Sequence, residues 1–112
     1  MIEIFRNTPA GRQIADLVGS DARLSEITCY ELAKGHAEKE AALSAFESLP
    51  FDANCRKHSV QLFLKSRKAG KTVADIDILI AGTAKAYGLT VITMDHDFSR
   101  LDVPVKLFFP TS

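Results

Sequence analysis

Glu31, Asp77 and Asp95, with Asp97 close behind, are the residues of this 112-residue chain best placed to do chemistry. Asp95 and Asp97 follow the run Leu89-Thr90-Val91-Ile92-Thr93, and Glu31 follows Leu24–Thr28; both runs have the composition of strands. In a parallel sheet, ligands sit beyond the carboxyl ends of the strands, so acids at strand exits are where a reaction is sought. Asp77 falls in the first turn of a predicted helix, and if that helix begins at the same sheet edge the three carboxylates converge. Carboxylates held a few ångströms apart repel one another, so a proton or a cation must join them. An all-oxygen set favours Mg²⁺ or Mn²⁺ over zinc. Each acid also has an ordinary use. Glu31 completes a capping box with Thr28, Asp75 is an N-cap, Asp77 gains from the helix dipole, and Asp95 and Asp97 suit a turn.

The elements that must position these acids follow from caps and apolar periodicity. Thr8-Pro9 opens a helix with Ile14, Leu17 and Val18 as its stripe, and Gly19-Ser20 stops it. Leu24–Thr28 reads as a strand, and Thr28-Cys29-Tyr30-Glu31 opens a helix running towards Leu49 that Pro50 ends. Asp52 caps a third helix carrying Val60, Leu62, Phe63 and Leu64, finished by Gly70. Asp75 caps a fourth over Ile76–Tyr87, closed by Gly88. Leu89–Thr93 is a nearly continuous β-branched apolar run, as expected of a strand buried on both faces, and Val105–Phe109 is the last strand. Strands alternating with helices predict one α/β domain over residues 1–112, with a parallel sheet and helices on its faces.

Composition narrows the class. Hydrophobic residues make up 46% and charged residues 25%, the balance of a globular protein rather than a disordered or membrane chain. Met1–Arg6 lacks the basic and apolar regions of a signal peptide, so the expected compartment is the cytoplasm. Cys29 and Cys55 form no CxxC pair and read as core thiols. Fourteen basic and fourteen acidic residues cancel, which argues against a strong non-specific field for nucleic acid or lipid. Their distribution is uneven: Arg56, Lys57, Lys65, Arg67, Lys68 and Lys71 crowd one segment. A solvated helix face is the plainer reading of that run.

Read in order, Asp75-Ile76-Asp77-Ile78-Leu79-Ile80-Ala81 and then Thr93-Met94-Asp95-His96-Asp97-Phe98 resemble the signature half of VapC-type PIN-domain ribonucleases. Ser25–Gly35 is similar to the family's second motif, and Leu49-Pro50-Phe51-Asp52 and Lys68-Ala69-Gly70-Lys71 fall where it places comparable phrases. The resemblance spans essentially the whole chain and implies a Rossmann-like three-layer PIN fold. It also implies Glu31, Asp77 and Asp95 as catalytic metal ligands, Asp97 as a further ligand, and Thr93 as an auxiliary hydroxyl at the strand end. Lys57, Lys65 and Lys68 become the expected RNA contacts. The implied reaction is hydrolysis of RNA phosphodiesters with Mg²⁺ or Mn²⁺, and the implied partners are a small antitoxin and a second copy of the chain.

One departure accompanies the resemblance. The family opens with an apolar strand ending in an Asp, and by this alignment that strand would precede Met1. Its place would be central, between Leu24–Thr28 and Leu89–Thr93. Burying three or four aliphatic side chains contributes roughly 1.5–3 kcal/mol each, against a total stability of about 5–15 kcal/mol. The expectation is therefore a chain shortened relative to the family, with weak or absent cleavage. Two other classes compete: a non-catalytic RNA- or antitoxin-binding protein, which the missing Asp favours, and a phospho-accepting receiver-like domain. The receiver needs an acid pair after its first strand and an acceptor Asp at a middle strand exit, and neither is visible in the sequence.

Overall fold

In the computed structural model of the chain, residues 23–35, 47–93 and 96–107 are described. The helix expected after Thr8-Pro9 and the end of the last strand at residues 108–109 lie outside them. The elements run β1 (Arg23–Ser25), α1 (Glu26–Gly35), β2 (Glu47–Leu49), α2 (Ala53–Lys68), α3 (Asp75–Ala86), β3 (Val91–Thr93), a 3₁₀ helix (His96–Arg100) and β4 (Val105–Leu107). β1 pairs in parallel with β2, Leu24 opposite Ser48, and β3 pairs in parallel with β4, Ile92 opposite Lys106. Parallel pairs require crossovers rather than hairpins, which is the α/β arrangement expected. Among the described residues these are two separate two-stranded sheets.

Boundaries differ from the sequence reading at three strands, and β3 begins at Val91 rather than Leu89. The first strand stops at Ser25 rather than Thr28, and α1 begins at Glu26. The Thr28 N–H donates to Ser25 Oγ at 3.0 Å, so Ser25 supplies the side-chain acceptor three residues ahead, as an N-cap does. The helix predicted to reach Leu49 is also wrong at its far end, because Glu47–Leu49 is strand β2. Pairing with β1 overrides the weak local preference of those three residues, and an ion pair of 3.2 Å joins Arg23 to Glu47, which the register sets side by side.

α2 is fixed at both ends as its sequence dictates. Asp52 accepts from the Cys55 N–H at 3.0 Å, and Lys65, Arg67 and Lys68 occupy the last turn, where cations favour the helix dipole. Gly70, at φ 73°, closes it, with its own N–H on Arg67 O and the Lys71 N–H on Ser66 O. Cys55, Ser59, Leu62 and Ser66 are buried at helical spacing and form its inner face. α3 is buried more completely: Ile78, Ile80, Ala81, Gly82, Thr83 and Ala84 are all out of solvent. Ala74, not Asp75, occupies its cap position, and no side chain caps it. Gly88, at φ 67°, ends it, as predicted.

The core gathers Leu62, Ile78, Ile80, Ala81, Ala84, Val91, Phe98 and Leu101, with Ile27 of α1 at its margin. Phe98 and Leu101 anchor the segment that follows β3. A surface clamp adds to them: Lys65 Nζ and Lys85 Nζ donate to Asp102 Oδ2 at 2.9 and 3.2 Å, and Lys85 also reaches Asp102 O at 3.0 Å. The hydrogen bond from Lys65 first, and that from Lys85 next, hold the Asp102 carboxyl below the usual carboxylate range. A depressed carboxylate stabilises the fold above its unfolded pKa, about 3.9, and that contribution is lost as pH falls through the lower folded value. Asp102→Asn is thus expected to melt a little lower than wild type at neutral pH and to match it in strong acid. An unchanged gap in thermal melts at the two pH values would refute the clamp. No helix among the described residues is long and apolar enough to cross a membrane.

Candidate functional site

Glu31 is the sixth residue of α1, not a first-turn cap residue, because Ser25 has moved the helix start back. It therefore stands roughly 8 Å along the axis from the helix start, at 1.5 Å per residue. Its carboxylate is partly exposed and accepts from Lys34 Nζ at 3.0 Å. That hydrogen bond, reinforced by the charge of Glu31, raises the Lys34 pKa, and the same ammonium lies 5.5 Å from the centre of the Tyr30 ring. An exposed pair of this kind is worth little and is readily exchanged for another cation.

Asp77 lies in the first turn of α3, where the helix dipole favours a negative charge, and is half-buried. α1 packs on α3, and α3 also touches β1 and the 3₁₀ helix. The fold thus mounts Glu31 and Asp77 on adjoining helices. Thr93, the last residue of β3, is fully buried opposite Leu107. Asp97 falls in the 3₁₀ helix immediately beyond that strand, its side chain outside the description, and Asp95 lies outside the described residues. Among the described residues no three His, Cys, Asp or Glu side chains gather as metal ligands. The two described acids nonetheless suit a hard divalent cation, since both offer only oxygen and the competing cation at Glu31 is a surface lysine.

Of the expected RNA contacts, Lys57 and Lys68 are exposed on α2, whereas Lys65 is engaged with Asp102. Two shallow hollows flank Phe63 on α2. One is lined by Ser59, Val60, Asp75, Ile78 and Leu79, the other by Ser66, Arg67, Lys71, Thr72 and Val73, and neither includes Glu31 or Asp77. Sequence reasoning missed Ser25 as a structural hydroxyl. The signal was its place between the apolar Leu24 and the acidic Glu26, which was outweighed by the capping-box pattern three residues later.

Comparison with known proteins gives a consistent result. A family model described as the PIN domain matches residues 1–104. Ribonuclease VapC5 of Mycobacterium tuberculosis is 30% identical over 88% of this chain and 83% of its own length. The crystal structure of FitAcB from Neisseria gonorrhoeae superposes with a TM-score of 0.75 at 32% identity, covering 94% of this chain and 96% of that one. DNA-bound VapBC from Salmonella typhimurium gives a TM-score of 0.78 at 26% identity, covering 90% and 86%.

Proposed function

The chain belongs to the PIN domain family, and from that premise we propose that it is a Mg²⁺- or Mn²⁺-dependent endoribonuclease, the toxin of a toxin–antitoxin pair. The observation that carries the reading is the family match combined with two all-oxygen acids, Glu31 and Asp77, on helices in contact. The 30% identity to Ribonuclease VapC5 supports RNA as substrate, and the likeness to VapBC complexes supports a small antitoxin as partner, with self-association of the toxin. The cytoplasm is the compartment proposed for it.

In this reading Glu31, Asp77 and Asp95 hold the ion, and Asp97 joins them as a further ligand. When bound, the ion lowers the pKa of its water and offsets charge developing on the scissile phosphate. The carboxylates orient that water and need not act as nucleophiles. Thr93, buried at the end of β3, orients the acids beside it. Lys57 and Lys68 meet the RNA backbone from α2, while Lys65 contributes less because Asp102 already shares its charge.

Incubation of the chain with mixed RNA in Mg²⁺ or Mn²⁺, with and without EDTA, tests the proposal. Weak cleavage that EDTA stops and excess Mn²⁺ restores is expected, its weakness following from the family Asp that this sequence lacks. Cleavage indifferent to EDTA would overturn it. Retention of RNA without any cleavage would make the protein a binding module instead.

A further inference from the structure

Ser25 is fully buried, and one oxygen of its side chain engages Thr28 twice. The Thr28 N–H donates to Ser25 Oγ at 3.0 Å, and the two hydroxyl oxygens lie 2.9 Å apart. Thr28 is itself only 2% exposed. An N-cap needs the first of these bonds alone and usually makes it at the surface. The second bond, made in the interior, ties the Thr28 side chain to the end of β1.

Ser25 also belongs to β1, where it stands opposite Leu49 of β2. The pair is therefore the joint at which the first sheet hands the chain to α1. Thr28 and Glu31 are one turn apart on the same face of that helix. Glu31's fixed partner among the described residues is the exposed Lys34, which constrains the carboxylate little. α1 packs on α3, the helix that carries Asp77.

We propose that the Ser25–Thr28 hydroxyl pair is a positioning device for the Glu31 carboxylate, setting the direction and roll of α1 so that Glu31 faces Asp77. The inference rests on the metal-site reading above, and neither Ser25 nor Thr28 touches the ion.

The test uses the full chain and Mn²⁺ alone as probe, followed by the loss of the free-ion electron paramagnetic resonance signal, with thermal melts recorded in EDTA. Supporting groups around a metal site commonly change affinity by about 10–100-fold, and Ser25→Ala is expected at the low end, roughly 10-fold weaker than wild type. Thr28→Val, which keeps the backbone cap and the side-chain shape, is expected to weaken binding by about 3-fold, and Thr28→Ser to restore it. In a Glu31→Gln background, Ser25→Ala should cost no further affinity, since the pair acts through that carboxylate.

A lowered melting temperature with unchanged Mn²⁺ affinity in both Ser25→Ala and Thr28→Val would reduce the pair to a cap and overturn the proposal. So would a full additional loss in the double variant. If Ser25→Ala does not fold, Thr28→Val and its Ser counterpart decide the matter. Failure of the underlying reading looks different: wild type would not bind Mn²⁺, or Glu31→Gln would bind it as well as wild type.

Discussion

Asp77→Asn is expected to reduce EDTA-sensitive RNA cleavage by at least about 100-fold, more than the loss of a group that merely supports a metal ligand, with little change in melting temperature. The substitution keeps the shape of the side chain and exchanges an anionic oxygen for a neutral amide. Hard divalent cations draw their affinity from such anionic oxygens, so the ion and the activation of its water are lost together. The structural cost is modest because Asn keeps the shape of the half-buried Asp77 side chain, and the dipole interaction lost in the first turn of α3 amounts to about 0.3–1 kcal/mol. Asp95→Asn should lose cleavage to a similar extent. Residual cleavage equal to wild type in both variants, measured on one RNA under one Mn²⁺ concentration, would remove these acids from the mechanism.

Among Gly70, Gly82 and Gly88 a β-carbon meets neighbouring atoms only at Gly82, and Gly82→Ala is expected to destabilise the fold. On an exposed helix that change gains roughly 0.5–1 kcal/mol, because alanine loses less backbone freedom. Here α3 presses Gly82 against Ser59 of α2. A β-carbon at position 82 would overlap the Ser59 hydroxyl and lie 2.8 Å from both its Cα and its backbone nitrogen. A side chain can rotate away, but a helix backbone cannot, and Ser59 is further tied by donating to Cys55 O at 2.8 Å. Overpacking of this kind costs about 1–3 kcal/mol, which exceeds the helix-propensity gain. For a domain of this size each kcal/mol shifts the melting temperature by about 4–8 °C. A melt at or above wild type would show that the two helices part easily. Ser59→Ala should rescue Gly82→Ala only in part, since the backbone contacts remain.

What the sequence made legible was whatever is decided locally. Asp52, Gly70 and Gly88 act on their own turns, and the helix boundaries predicted from Asp52 and the two glycines match the structure. The acids Glu31 and Asp77 were legible as residue types, but the depth of Glu31 inside α1 was not. β2 was not, because Glu47-Ser48-Leu49 offers one buried residue and owes its form to β1, distant in sequence. The start of α1 was misread because Thr28 and Glu31 fit a capping box, yet a Thr that is buried and bonded to Ser25 cannot also serve as the cap. Lys65 looked like one more cation in a basic run. Its tie to Asp102, thirty-seven positions away, is a tertiary fact that no local pattern announces.

The main core draws on α2, α3, β3 and the segment after it, and among the described residues α1 meets it through Ile27 at the margin. Glu31 therefore rides on a part of the described molecule with a small share in the central packing, and Asp77 on the helix that forms its middle. Proteins open in pieces, each with its own free energy, and the piece with least buried contact opens first. A local excursion of α1 that left the core folded would part the two acids, so the lifetime of a competent site is expected to be shorter than the lifetime of the fold.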